Sequence, residues 1–195
     1  MNKLITDYEL ITRFIKGEQS CFEQLIHRHK NKVFAYISLY IRDKALVEDI
    51  FQDTFLKVIQ SVKAGRYSDN GKFLSWVMRI AHNLIIDHFR RLKQVNTISN
   101  DNYESDLFNS KSLAEDNVED NMIKKQIHKD VRNIINNLPD DQREVIILRH
   151  YSGLSFKEIA EITDVSINTA LGRMRYALIN MRKIMEDNKI SLTID

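Results

Sequence analysis

Apolar residues along this chain recur at steps of three and four, the spacing of one face of an α-helix. Leu10, Ile11, Phe14 and Ile15 form a first such stripe, and Phe22, Leu25, Ile26, Val33, Phe34, Ile37 and Ile41 a second. Leu46, Val47, Ile50, Phe51, Thr54, Phe55, Val58 and Ile59 make a wider third one. A fourth runs from Phe73 to Leu92, with Phe73, Trp76, Val77, Ile80, Leu84 and His88 expected inside. The pattern lapses after Gln94 and resumes with Met122, Ile123, Ile127, Val131, Ile134, Ile135 and Leu138. Polar signals mark the starts. Ser or Thr with Glu three residues later makes a capping box, found at Thr6–Glu9, Ser20–Glu23 and Ser155–Glu158. Asp43 and Ser166 are N-cap candidates, and Pro139 followed by Asp140 and Asp141 opens another helix.

Composition supports an all-α reading. Five Gly and one Pro in 195 residues leave few tight turns, so helices joined by polar loops are expected. With 43% hydrophobic and 29% charged residues the chain reads as globular. The longest apolar runs, Leu84–Ile86 and Val145–Leu148, are too short to span a bilayer, and residues 1–7 lack a signal-peptide core. One cysteine, Cys21, allows no internal disulfide and reads as a buried thiol, which suits a reducing cytoplasm. The expected organisation is an N-terminal helical domain over 1–93, a flexible linker over 94–118, a C-terminal helical domain over 119–187 and a tail over 188–195.

Net charge is only +2, but it is segregated. Residues 101–120 hold seven acids against one base, Lys111, so that stretch carries −6. Residues 166–185 hold Arg173, Arg175, Arg182 and Lys183 and no acid. Two helices joined by a short turn, the second one basic, form the helix-turn-helix of DNA-binding proteins. Here the first carries Ile159, Ala160 and Ile162, the turn is Thr163-Asp164-Val165, and the second starts after Ser166. Its apolar set, Ile167, Ala170, Leu171, Met174, Leu178, Met181 and Met185, is expected to be buried. Its other face would present Asn168, Thr169, Gly172, Arg173, Arg175 and Tyr176. Asn168, Thr169 and Arg173 are placed to meet base edges; Arg175, Tyr176, Arg182 and Lys183 fall further along, where phosphates are met. Gly172 costs about 1 kcal/mol relative to Ala in a helix interior. Either a close DNA backbone or a tight helix–helix contact would account for it. An ordinary helical hairpin with a solvated basic face is the plainer reading of the whole pattern.

Taken together, these residues resemble a known family. Leu138-Pro139, Arg143-Glu144-Val145, Leu148, Gly153-Leu154-Ser155, Glu158-Ile159-Ala160, Ser166, Thr169 and Arg173-Met174 resemble the promoter-binding C-terminal domain of bacterial RNA polymerase sigma factors. Residues 48–56 are similar to the family's core-polymerase-binding helix, and 76–91 to its −10-recognition helix. With two domains only, the plan is that of the extracytoplasmic-function (ECF) group. Where Leu171 and Gly172 stand, the family usually carries polar or basic residues.

The resemblance implies three surfaces. Ser166, Asn168, Thr169, Gly172, Arg173, Arg175 and Tyr176 would read a duplex −35 element. Arg79, Asn83, Arg90 and Arg91 would capture the single-stranded −10 element, with Tyr67, Ser68, Asp69 and Asn70 holding a flipped base. Asp49, Gln52, Asp53, Phe55 and Leu56 would meet core polymerase, although a wide apolar stripe also fits a helix buried on most sides. Asp87 reads as a surface ion-pair partner and Trp76 as core. The acidic linker reads as a tether. An anti-sigma factor is an expected partner; no cofactor, metal or small-molecule substrate is expected. His27, His29, His82, His88, His128 and His150 show no metal-ligand spacing, and no Gly-rich phosphate loop occurs, so no enzyme is expected. A stand-alone DNA-binding regulator and a helical adaptor protein are the rival readings.

Overall fold

The computed structural model describes residues 5–41, 43–68, 71–96 and 130–190. Among them all regular structure is helical. The chain divides into two compact units, Met1–Leu107 and Phe108–Asp195. The acidic stretch 101–120, the proposed linker beyond residue 96, Met122, Ile123 and Ile127, and the last five residues of the tail lie outside the described residues.

The first unit is built from α1 (Asp7–Ile15), α2 (Gln19–Ile37), α3 (Lys44–Lys63) and α4 (Phe73–Asn96). Thr6 starts α1 through a complete capping box: its hydroxyl accepts from Glu9 N–H, and Glu9 accepts from Thr6 N–H at 2.9 Å. Asp43 starts α3 by accepting from Ala45 N–H at 2.9 Å. The box expected at Ser20–Glu23 does not form. Gly17, at φ 108°, turns the chain early, and α2 begins at Gln19 with no side-chain cap. That earlier start lets Cys21 and Phe22 face inward. Leu10, Phe14, Leu25, Val33, Tyr36, Ile50, Phe55, Val58, Phe73, Val77, Met78 and Ala81 fill the core. Ile15, expected inside, is exposed. Cys21 is buried, and burial together with the Glu18 carboxylate pushes its thiol pKa up.

One polar cluster clasps α1 to α2. Asp7 accepts from Arg28 and meets His29 Nε2 at 2.8 Å, while Arg28 also donates to Ile5 O at 2.7 Å. Burial alone would raise the Asp7 carboxyl. Hydrogen bonds and charge from His29 and Arg28 outweigh it and hold the pKa below its ordinary value.

The second unit holds α5 (described over 130–136), α6 (Asp140–Ile146), α7 (Phe156–Thr163) and α8 (Ile167–Asp187). Helix α6 widens into a π-turn at Ile147–Tyr151 before the chain leaves it. The hinge between α5 and α6 is made by Arg143, which is only 6% exposed. Its guanidinium donates to Ile135 O, Asn136 O and Leu138 O at 3.2, 2.9 and 2.8 Å. These are carbonyls at the end of α5, where helix geometry leaves acceptors without partners. The buried charge and the buried carbonyls satisfy each other.

Arg143→Met roughly keeps the volume but takes the guanidinium from Asn136 O and Leu138 O, while Ile135 O keeps Leu138 N–H at 3.2 Å. It should destabilise the second unit by about 2–4 kcal/mol and leave the first unit's melting unchanged. Separate unfolding transitions of wild type and variant, followed by calorimetry, check this.

Candidate nucleic-acid interface

The turn between α7 and α8 follows from its residues. Ser155 caps α7 with a complete capping box, Glu158 N–H donating to its hydroxyl at 3.3 Å and Ser155 N–H donating to Glu158 at 2.8 Å. Asp164 then takes the left-handed conformation, φ 52° and ψ 47°, and ends the helix. Val165 N–H donates back to Ala160 O at 3.1 Å. Ser166 caps α8 by accepting from Thr169 N–H at 3.0 Å, and its hydroxyl also bonds the Thr169 hydroxyl at 2.9 Å. The expected three-residue turn and both caps are present.

What α8 buries differs from what its hydropathy suggests. Ala170, Met174 and Ala177 face inward, at i, i+4 and i+7. Ile167, Leu171 and Leu178, expected in the core, are instead 45%, 44% and 43% exposed. The reason is clearance. Helix α8 packs against both α6 and α7, and two alanines let the backbones come close. A larger aliphatic at those positions would hold the helices apart.

The outward face of α8 therefore carries Asn168, Leu171, Arg175 and Tyr176, all exposed, with Gly172 between them. A Cβ placed on Gly172 meets nothing within 4 Å. Among the described residues no helix–helix contact requires the glycine. Arg173 turns to the α6 side, where its Nε lies 3.3 Å from Asp141. Asn180 donates to Gln142 Oε1 at 2.8 Å on the same seam. The expected base-reading Arg173 is thus also the ion-pair tether between α8 and α6, whereas Arg175, Arg182 and Lys183 are exposed.

In the first unit, α4 presents Arg79, Asn83, Arg90 and Arg91 on exposed positions. Asp87 accepts from Arg90 at 3.2 Å, the surface pair expected of it. The phase of the inner stripe departs from expectation. Phe73, Val77, Met78, Ala81 and Ile85 are buried, while Trp76, Ile80, Leu84 and His88 are half-buried. Tyr36 Oη meets His82 Nδ1 at 2.8 Å, fixing α4 to α2 one residue before Asn83. His82 is thereby a positioning residue for α4, a role that neither metal-ligand spacing nor hydropathy points to.

Trp76 sits at the rim of the core. Its ring lies 4.5 Å from that of Tyr67 and 6.1 Å from that of Phe73, and Tyr67 stands edge-on to Phe73 at 5.9 Å. This cluster pins the loop before α4 to its first turn. Ser68 is exposed beside it, and Asp69 and Asn70 lie outside the described residues.

On α3, Asp49, Gln52 and Asp53 are exposed and Leu56 is 53% exposed, so these four expected contact residues share one free surface. Phe55 does not join them. It is 4% exposed and packs edge-on against Phe22, with ring centroids 6.4 Å apart, and against Phe51 at 4.9 Å. Its assignment to a partner surface is corrected to the core.

Both units resemble known proteins. Residues 25–95 match Sigma-70 region 2 and residues 128–175 match Sigma-70 region 4. The chain is 32% identical over 181 residues to the ECF RNA polymerase sigma-E factors of Salmonella typhimurium (strain LT2) and Escherichia coli (strain K12), covering 89% of this chain and 91% of each relative. The Haemophilus influenzae sigma-E factor is 29% identical over 194 residues, covering 97% of this chain and 98% of that one. Among solved structures, CnrH in complex with the cytosolic domain of CnrY superposes with a TM-score of 0.61 at 21% identity, covering 93% of this chain and 97% of that one. The sigma factor RpoE of Bartonella quintana, solved with the anti-sigma factor NepR, gives 0.62 at 22% identity, covering 85% and 96%. These two share the fold. The capped helix-turn-helix, the α4 face and the near full-length likeness to sigma-E factors converge: the chain belongs to the ECF RNA polymerase sigma factors.

Proposed function

We propose that this chain binds core RNA polymerase, brings it to a two-part promoter and helps to open the −10 region. It does no covalent chemistry itself and works in the cytoplasm. The second unit reads the −35 element as duplex through Ser166, Asn168, Thr169, Gly172, Arg173, Arg175 and Tyr176. The first captures the −10 strand through Arg79, Asn83, Arg90 and Arg91, with a flipped base beside Tyr67, Ser68, Asp69 and Asn70. Asp49, Gln52, Asp53 and Leu56 meet polymerase. An anti-sigma factor of the kind named with the Bartonella relative is a further partner. The observation that carries the reading is the pairing, in one chain, of a recognition helix free of acids up to Met185 with a separate helix face bearing Asn83 among arginines, on the helix whose first turn joins an aromatic cluster. Duplex DNA calls for cations along a helix that fits the major groove. An unpaired base calls for an aromatic wall and polar edges.

Run-off transcription with purified core polymerase and a genomic promoter library tests the reading. Defined transcripts are expected only when the chain is present. DNA binding without polymerase association would instead indicate a stand-alone regulator. At a promoter so found, Arg173→Ala should weaken −35 duplex binding about tenfold. Asn83→Ala should leave that binding intact and lower permanganate reactivity of the −10 thymines. Equal loss of duplex binding in both variants contradicts the division of labour.

Gly172→Ala separates stability from recognition. With open space around the site, the added methyl should raise the second unit's stability by about 1 kcal/mol. Close DNA approach predicts that duplex affinity falls about tenfold in the same protein. A higher melting temperature with unchanged affinity would remove DNA from the explanation.

A further inference from the structure

The first two turns of α8 expose two large aliphatic side chains one turn apart, Ile167 and Leu171. Among the described residues they are only partly covered, because the helix buries Ala170, Met174 and Ala177 instead. They lie among the residues that face outward with them, Asn168 and Arg175. The stretch from Ser166 to Met185 carries four cations and no acid. That charge suits a polyanion and disfavours a second copy of the same basic helix.

A helix in the major groove uses its N-terminal turns on base edges. Those edges offer only one apolar group, the 5-methyl of thymine. The natural partner of an Asn side chain there is adenine, through N6 and N7. Cytosine's amino group would call for a carboxylate, and this face has none. A basic residue at 171 would instead favour guanine.

We propose that Ile167, Leu171 and Asn168 select A·T base pairs at the positions they face, with Leu171 and Ile167 packed on thymine methyl groups and Asn168 on an adjacent adenine edge. Arg175, exposed on the next turn, then serves phosphate. The proposal rests on the reading of α8 as the duplex-reading helix. It adds the class of sequence that helix takes. It also accounts for the two aliphatics exposed on the first two turns of α8, since the groove removes them from water.

The test uses the full chain assembled with core polymerase. Duplexes randomised across the −35 region are selected for binding, and the preferred site is then remade with deoxyuridine in place of each thymine. Removing a contacted methyl should weaken wild-type binding about fourfold per position. Leu171→Ala should bind the thymine and deoxyuridine duplexes alike at one position, while Ile167→Ala does so at another. Both side chains are exposed, so neither variant is expected to unfold the unit. A preferred site with G·C pairs at the positions facing these residues overturns the proposal and leaves promoter recognition standing. So does a wild-type protein indifferent to the methyl groups. Enrichment of no sequence at all overturns both this proposal and the promoter reading.

Discussion

Asp164 stands in the left-handed region between two helices whose starts are both capped. That conformation costs most side chains about 1–2 kcal/mol, and Asp tolerates it better than most because its short polar group bonds locally. The turn leaves α8 little freedom. Val165 is bonded back to Ala160, Ser166 holds the first turn of α8, and Ala170 drops into the space beside α7 within one turn more. Once Ala170, Met174 and Ala177 are seated, the outward face of α8 is decided. Which residues α8 offers to a partner is therefore a consequence of the packing at the turn. Arg143 does the corresponding work at the other end of the unit, holding α5 to α6, and α6 in turn holds Arg173.

The first unit follows the same logic with different means. Its exposed face on α4 is set by Phe73, Val77, Met78, Ala81 and Ile85 underneath, and by the bond from Tyr36 to His82. The aromatic cluster of Tyr67, Phe73 and Trp76 places the preceding loop against the same helix. A rigid frame with polar groups on one side is what capture of a single strand needs, since ordering the site only on binding would cost affinity. In both units, the proposed DNA-facing side of a helix lies opposite a few closely packed small or aromatic residues.

Much of this was legible in the sequence. Caps read well because they are local: Thr6–Glu9, Asp43, Ser155–Glu158 and Ser166 all act as expected. Helix faces read less well where hydropathy and shape disagree. Ile167, Leu171 and Leu178 look like core by hydropathy, yet Ala170 and Ala177 take the contact because a close helix crossing excludes bulk. The i, i+4, i+7 spacing of Ala170, Met174 and Ala177 was the available signal. The fourth helix slipped in phase for a related reason, since Met78 and Ala81 fill the core while Trp76 stands at its rim with Tyr67. Ser20 failed as a cap because Gly17 had already turned the chain. Phe55 went to the core against Phe22, distant in sequence, and Arg143 formed a buried hinge on carbonyls across the α5–α6 turn, and hydropathy periodicity encodes neither contact.

The central claim is that two units of one chain address two forms of the same promoter DNA. Photocrosslinking tests it most directly, with a reactive side chain placed at Asn168 in one preparation and at Asn83 in another, each assembled with core polymerase on promoter DNA. Position 168 should crosslink to both strands of the upstream duplex. Position 83 should crosslink to the non-template strand alone, in the opened region downstream. Crosslinks from both positions to one and the same DNA segment, or none from position 83 after opening, would contradict the account.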